Sequence, residues 1–202
     1  MRYDVIVIGG GASGLACVLT LASARGRGWE WAEDRRYLLL DTGRSDMNRA
    51  LFKNVPGVEE GTYGRDLLKK LEEQVRRWGG VDFLQEKAVK VEGEKGNFRV
   101  LSEGGREFTS EFVVLATGFH RFDIECEGVR VVENTRSPKP GRIMIEHDGS
   151  YRVRDGLFVA GLLAGVSSMF ATAAGSGVQV AIDILSEWAG SPVVVHDVPP
   201  ED

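Results

Sequence analysis

The sequence predicts an α/β fold, a three-layer domain with a parallel central sheet and a small antiparallel β-meander. Three observations lead to it. An apolar strand, Tyr3 to Ile8, runs into Gly9-Gly10-Gly11-Ala12-Ser13-Gly14 and then into an apolar helix from Leu15 through Leu21. Two later runs, Tyr37-Leu38-Leu39-Leu40 and Phe112-Val113-Val114-Leu115-Ala116, are apolar on both faces, as central parallel strands are. Between them, segments 88–92, 97–102 and 106–109 alternate apolar and polar residues and are separated by glycine-bearing turns, which reads as a meander.

Gly9, Gly11 and Gly14 carry the G-x-G-x-x-G spacing found where a strand turns sharply into a helix and holds a dinucleotide pyrophosphate. Gly9 permits the turn, Gly11 lets the backbone approach the phosphates, and Gly14 lets the helix pack on the sheet. The helix start then offers unpaired N–H groups and the positive end of its dipole. Three glycines alone also fit a tight βα turn in an unrelated α/β protein. The buried strand before them and the small-residue helix after them supply the context the dinucleotide reading requires.

Segment 25–36, rich in glycine, tryptophan and charge, fits neither helical nor strand periodicity and reads as a surface insertion. Trp29 and Trp31 either fold back onto the domain or mark a contact surface. The second strand ends at Asp41, where an acid can accept hydrogen bonds from ribose hydroxyls or simply terminate the strand as a turn residue. Segment 42–63 is loop-like. Segment 64–79 is an amphipathic helix with Leu67, Leu68, Leu71 and Val75 on one face. A short strand follows at 81–84. After the strand 112–116, which ends in Thr117-Gly118, segment 119–154 is irregular and includes an expected hairpin from Ile143 to Val153 turning at Asp148-Gly149. A last buried strand, 157–160, leads through small residues to a helix ending near Trp188.

The chain has 202 residues, enough for one large domain, read as 1–189 with a tail at 190–202. With 30 acidic against 25 basic residues the net charge is −5, so no general positive field draws nucleic acid or an anionic membrane. Cys17 and Cys126 form no C-x-x-C pair and no metal-ligand pattern, which argues for a reducing compartment and no metal. No apolar run approaches the roughly twenty residues of a membrane span, and no signal-type leader precedes the first strand. A cytoplasmic location is expected.

The fingerprint with Asp41, the strand ending Ala116-Thr117-Gly118, and Gly156-Leu157-Phe158-Val159-Ala160-Gly161 followed by Ala171-Thr172-Ala173-Ala174-Gly175-Ser176-Gly177 stand in fixed order. This set resembles the FAD domain of the thioredoxin reductase family, and Asn54-Val55-Pro56-Gly57 is similar to that family's loop near the flavin. The resemblance implies an FAD/NAD(P)-binding Rossmann-like domain holding one extended FAD. Position by position, it implies that Gly9, Gly11, Ala12, Ser13 and Gly14 meet the pyrophosphate and that Asp41, Thr42 and Gly43 lie at the ribose. It implies Val89 at the adenine and Ala116, Thr117 and Gly118 beside the FAD. Gly161, Leu162, Ser168, Met169 and Phe170 would follow the ribityl chain and isoalloxazine, with the last helix aiming its start at the flavin N1 and C2 oxygen.

Two departures matter. The family inserts an NADPH-binding domain between the Ala-Thr-Gly strand and the carboxy-terminal FAD segment; here that interval, 119–155, is too short for a domain of roughly 100 residues and has no second fingerprint. The family's Gly-Asp after the last strand is Gly161-Leu162 here.

The resemblance implies an FAD-dependent oxidoreductase taking electrons from a nicotinamide cofactor or a protein donor and passing them to an unidentified acceptor. The alternative is an FAD- or NAD-holding module or subunit without redox turnover, as thiazole-forming enzymes of this fold hold NAD. No catalytic residue is assigned. His120 is a candidate for proton transfer and Cys126 for a lone reactive thiol, against plain solvated and buried readings. A homodimer is expected to cover the flavin's open side through loops 44–61 and 119–141, with Trp29, Trp31, Met47, Leu51 and Phe52 as contact candidates.

Overall fold

The computed structural model describes residues 1–196. Its elements run β1 (Arg2–Ile8), α1 (Ala12–Ser23), α2 (Glu30–Glu33), β2 (Tyr37–Asp41), β3 (Leu51–Phe52), β4 (Thr62–Tyr63) and α3 (Gly64–Trp78). They continue with β5 (Val81–Gln85), β6 (Ala88–Glu92), β7 (Phe98–Ser102), β8 (Glu107–Leu115), β9 (Glu125–Cys126) and β10 (Val131–Glu133). The chain closes with β11 (Ile143–Ile145), β12 (Arg152–Arg154), β13 (Leu157–Val159) and α4 (Phe170–Ala189). The expected architecture is present: a main sheet ordered β5-β2-β1-β8-β7-β6-β9, with β5, β2, β1 and β8 parallel.

Alternation along each central strand divides the core. Val5 and Val7 of β1, Tyr37 and Leu39 of β2, and Phe112 and Val114 of β8 point to one face, where α1, α3 and α4 bury their apolar sides. Ile6, Ile8, Leu38, Leu40, Val113 and Leu115 point to the other, against the meander residues Val91, Phe98 and Val100 and against Ile145. Because both faces are covered, every one of these strand positions is apolar, which is why the runs carry no polar alternation.

The structure corrects several expectations. The meander's third strand and the buried strand 112–116 are one element, β8. Its first part pairs antiparallel with β7, its last part pairs parallel with β13, and β1 runs parallel along its opposite side. Two polar residues masked this continuity: Ser110 is buried with its hydroxyl donating to Phe112 O at 2.8 Å, and Glu111 accepts from Trp188 Nε1 at 3.0 Å. The hairpin 143–153 does not form. The Asp148 turn is there, with Asp148 N donating to Arg152 O at 3.0 Å, but β11 pairs with β10 and β12 with β13.

Trp29 and Trp31 stack with ring centroids 5.1 Å apart and pack, partly buried, on the core around α1, folded back onto the domain. Within the expected tail, Val193 and Val195 pack back on the same core, and Val193 N donates to Ser186 Oγ at 3.1 Å. The end of the tail, Pro199 to Asp202, lies outside the described residues. Among the described residues no helix is long and apolar enough to cross a membrane.

Candidate functional site

The carboxyl ends of β1, β2 and β8 finish together, where doubly wound sheets place their ligands. Gly9 N donates to Leu40 O at 2.7 Å and Ala116 N to Ile8 O at 2.8 Å, so the three ends are tied to one another. A cavity of about 820 Å³ opens directly beyond them. Gly9 sits at φ 114, and a Cβ there would lie 2.6 Å from the Ala116 carbonyl carbon. Only glycine lets the turn pass this close to β8. Gly11 precedes α1 in extended conformation, no side chain caps the helix, and its first turn holds no acid. The first-turn N–H groups are therefore available to an anion in the cavity.

From the β1–α1 turn, Gly9, Gly11, Ala12 and Ser13 line this cavity, joined by Asp41, Thr42 and Gly43 from the end of β2. Ala116, Thr117 and Gly118 line it after β8, and Leu162, Ser168, Met169 and Phe170 line it before and at the start of α4. Three expected positions lie elsewhere. Gly14 faces the turn: a Cβ on it would overlap the Gly9 carbonyl oxygen, so its role is packing. Val89 does not line the cavity; Glu86, Lys87 and Ala88, directly before it, do. Gly161 is buried behind Ser13, with its N–H donating to Ser176 Oγ at 2.8 Å. Loop Asn54-Val55-Pro56-Gly57 also stays outside the wall; the neighbouring Arg49, Ala50 and Phe52 occupy it, and Phe52 meets Phe170 edge to face at 5.8 Å.

Asp41 is held by backbone. Its Oδ1 accepts from Gly10 N at 2.9 Å and its Oδ2 from Gly43 N at 3.0 Å. Each carboxylate oxygen keeps a second lone pair for a ligand hydroxyl. Gly10 itself was not singled out by the spacing rule, yet a Cβ on it would come within 2.7 Å of the Asp41 carboxyl carbon. Its signal in the sequence is its place as the middle of three consecutive glycines.

The cavity rim is polar and bridged. His120 Nε2 lies 2.8 Å from Asp46 Oδ2, joining the loop after β2 to the loop after β8. Lys87 Nζ bonds Asp123 Oδ2 at 2.8 Å and holds that carboxyl below the usual carboxylate range. Sequence reasoning missed Lys87 and Asp123, since their pairing depends on tertiary approach of segments 36 residues apart. At the opposite end α4 begins at Phe170 without a side-chain cap.

Neither thiol belongs to this site. Burial pushes Cys17 up to about 12 and Cys126 up to about 11, the latter against the opposing pull of Arg154. Both remain protonated near neutral pH, which leaves the Cys126 reading without support in this geometry. No group of three or more potential metal ligands occurs among the described residues.

The sequence profile of the "Pyridine nucleotide-disulphide oxidoreductase" family matches residues 3–157. A probable thioredoxin reductase of Arthroderma benhamiae is 30% identical over 125 residues, covering 58% of this chain; the chain spans 28% of that relative's length. Among solved structures, an oxidoreductase from Agrobacterium tumefaciens superposes with a TM-score of 0.74 at 15% identity, covering 94% of this chain and 99% of that one. A thioredoxin reductase from Gloeobacter violaceus gives 0.72 at 15% identity, covering 98% and 99%. At that identity these two similarities speak for the fold.

Proposed function

Because the chain belongs to the pyridine nucleotide-disulphide oxidoreductase family, we propose that it is an FAD-dependent oxidoreductase whose extended FAD lies in the cavity beyond β1, β2 and β8. The observation that carries this reading is the convergence of one uncapped helix start and one backbone-held acid on a single cavity of about 820 Å³. These residues fit the group. The Gly9–Ser13 turn presents its amides to a pyrophosphate, Asp41 accepts ribose hydroxyls, and the cavity runs on to Ser168, Met169 and Phe170. Bound flavin supplies the capacity to take up and release electrons. The α4 start favours negative charge at its end of the cavity. His120, with its Nε2 2.8 Å from Asp46 Oδ2, is the wall residue we assign as the candidate for holding a proton there. Electrons would come from a nicotinamide cofactor or a protein donor.

Leu162 favours a second reading. It lines the cavity where the resembling family has an acid, so a nucleotide-holding module without turnover of its own, for FAD or NAD, is the competitor. A homodimer belongs to the proposal as well: Leu51 and Met169 are exposed beside the cavity mouth, and a second copy would shield them.

The purified protein is expected to be yellow with a flavin spectrum, and to bleach anaerobically with NADH or NADPH. A colourless protein that takes up no added FAD would overturn the cofactor assignment. Bound flavin that neither nucleotide reduces would favour a protein donor or the module.

A further inference from the structure

A second, smaller cleft of about 320 Å³ adjoins the cavity and shares Asp46, Arg49, Ala50, His120 and Ser168 with it. Its far wall is the loop after β10, through Ser137, Pro138, Lys139 and Arg142. Three cations, Arg49, Lys139 and Arg142, thus face one carboxylate. That carboxylate, Asp46, is already engaged by His120 at 2.8 Å and by Arg49 at 3.7 Å. Lys139 and Arg142 have no carboxylate partner among the described residues. The Arg142 guanidinium lies over the Phe119 ring at 5.2 Å, and its Nε is buried without a hydrogen-bond acceptor. A buried donor left in this state is costly, and a guanidinium over a ring presents its remaining N–H fork for an oxyanion. The loop is also stiff, with Pro138 and Pro140 flanking Lys139 and with Lys139 N donating to Ser137 Oγ at 3.2 Å.

We infer that this cleft binds an oxyanion group, phosphate or carboxylate, of the small molecule that exchanges electrons at the adjoining cavity. The inference rests on the flavin reading for that last clause, because the shared wall includes Ser168 at the approach to α4. The cleft's size, about 320 Å³, suits one charged group with its immediate attachment. Two sources share the chemistry: a phosphate of a nicotinamide dinucleotide, or the carboxylate of a small anionic disulfide.

The test is a titration of the protein as purified, labelled with ¹⁵N-arginine, followed at the Arg142 Nε–H resonance. The resonance is assigned by its loss in Arg142→Gln. Sodium pyrophosphate is expected to shift it saturably, sodium chloride at matched ionic strength is not, and Lys139→Gln, an exposed position, should weaken the binding about tenfold. A shift that chloride reproduces, or an affinity that Lys139→Gln leaves unchanged, would overturn the proposal. NADP⁺ and 3,3′-dithiodipropionate are then compared. The one that saturates at lower concentration identifies the source, and failure of both to saturate refutes the inference. The titration requires no turnover, so its failure is separable from failure of the flavin reading, which the absorption spectrum reports.

Discussion

Gly11 and Gly14 belong to one sequence pattern, yet the structure gives them different work, and alanine at each position separates the two roles. At Gly14 the new methyl group would overlap the Gly9 carbonyl oxygen and approach the Gly9 carbonyl carbon to 3.0 Å. Both are backbone atoms in a turn pinned to β2 and β8, so the strain cannot relax through a rotamer change. Overpacking of this kind costs about 3 kcal/mol, the upper end of the usual range. For a domain of this size that lowers Tm by roughly 6–12 °C. At Gly11 the nearest atom to the new methyl is Ser45 Oγ at 3.5 Å, an ordinary contact, and the extended backbone there suits any residue. Alanine gives up roughly 0.5–1 kcal/mol as a helix cap but gains about as much through the less flexible unfolded chain. Its Tm should stay within about 2 °C of wild type. The methyl does, however, enter the cavity where a phosphate would approach, so flavin affinity should fall by roughly tenfold or more. Thermal unfolding by circular dichroism on flavin-free protein, with flavin content measured separately, reads both effects. Wild-type stability for Gly14→Ala would refute the packing argument, and undiminished flavin affinity for Gly11→Ala would refute the placement of the pyrophosphate.

Four further outcomes are expected. Arg35 lies over the Trp188 ring at 4.1 Å and pairs with Asp4 at 2.6 Å and Glu111 at 3.6 Å, clamping the end of α4 to the sheet, so Arg35→Ala should cost about 1–2 kcal/mol by urea denaturation; no measurable loss would dissolve the clamp. With both thiols shifted upward by burial, Ellman's reagent at pH 8 should find Cys17 unreactive and Cys126 slow until the protein is unfolded; rapid native labelling of either contradicts this. Burial, then the Asp82 hydrogen bond, raises the Tyr3 hydroxyl to about 12, and burial raises Tyr37 further. Their contribution to stability is complete below pH 10 and is lost as pH rises from 10 through 12; a Tm that stays flat across that interval, or an equal decline in Tyr3→Phe, would argue against it. Leu162→Asp restores the acid of the resembling family at the cavity wall and should tighten flavin binding severalfold in an equilibrium titration, whereas weaker binding would show that the flavin does not run past this position.

The parts of the fold legible in the sequence are those set by neighbouring residues. The β1–α1 turn, Asp41 and the end of β8 follow from local pattern, and the structure brings them to one cavity. What escaped depends on partners distant in the chain. β8 looked like two strands because Ser110 and Glu111 break the apolar run, and only the fold reveals that Trp188 takes up the Glu111 carboxylate. The Asp148 turn was readable, but the choice of β10 and β13 as partners over a local hairpin was not. Within the site, Ala88 and not its neighbour Val89 reaches the cavity, and the local pattern does not say which of the two faces it. The Lys87–Asp123 bridge and the Arg142 Nε without an acceptor have no signature at all in the linear chain.

The shared strand β8 has a bearing on how such a chain can change over time. Segment 119–154 departs just after β8, meets the far edge of the sheet where β9 pairs with β6, and comes back, through β12 and β13, against β8, with Ala160 N bonded to Leu115 O at 2.9 Å. Departure and return are thus anchored next to each other, with β9 as one further fixed point between them. Closing a loop twice as long costs only about 0.6 kcal/mol more, so chain can be added at the exposed turns of this segment at small cost, whereas its buried Ile124 and Ile145 hold the rest of it to the core. Such additions spare the cavity only beyond Ile124, because His120, Arg121, Asp123 and Ile124 line it and have to stay in place.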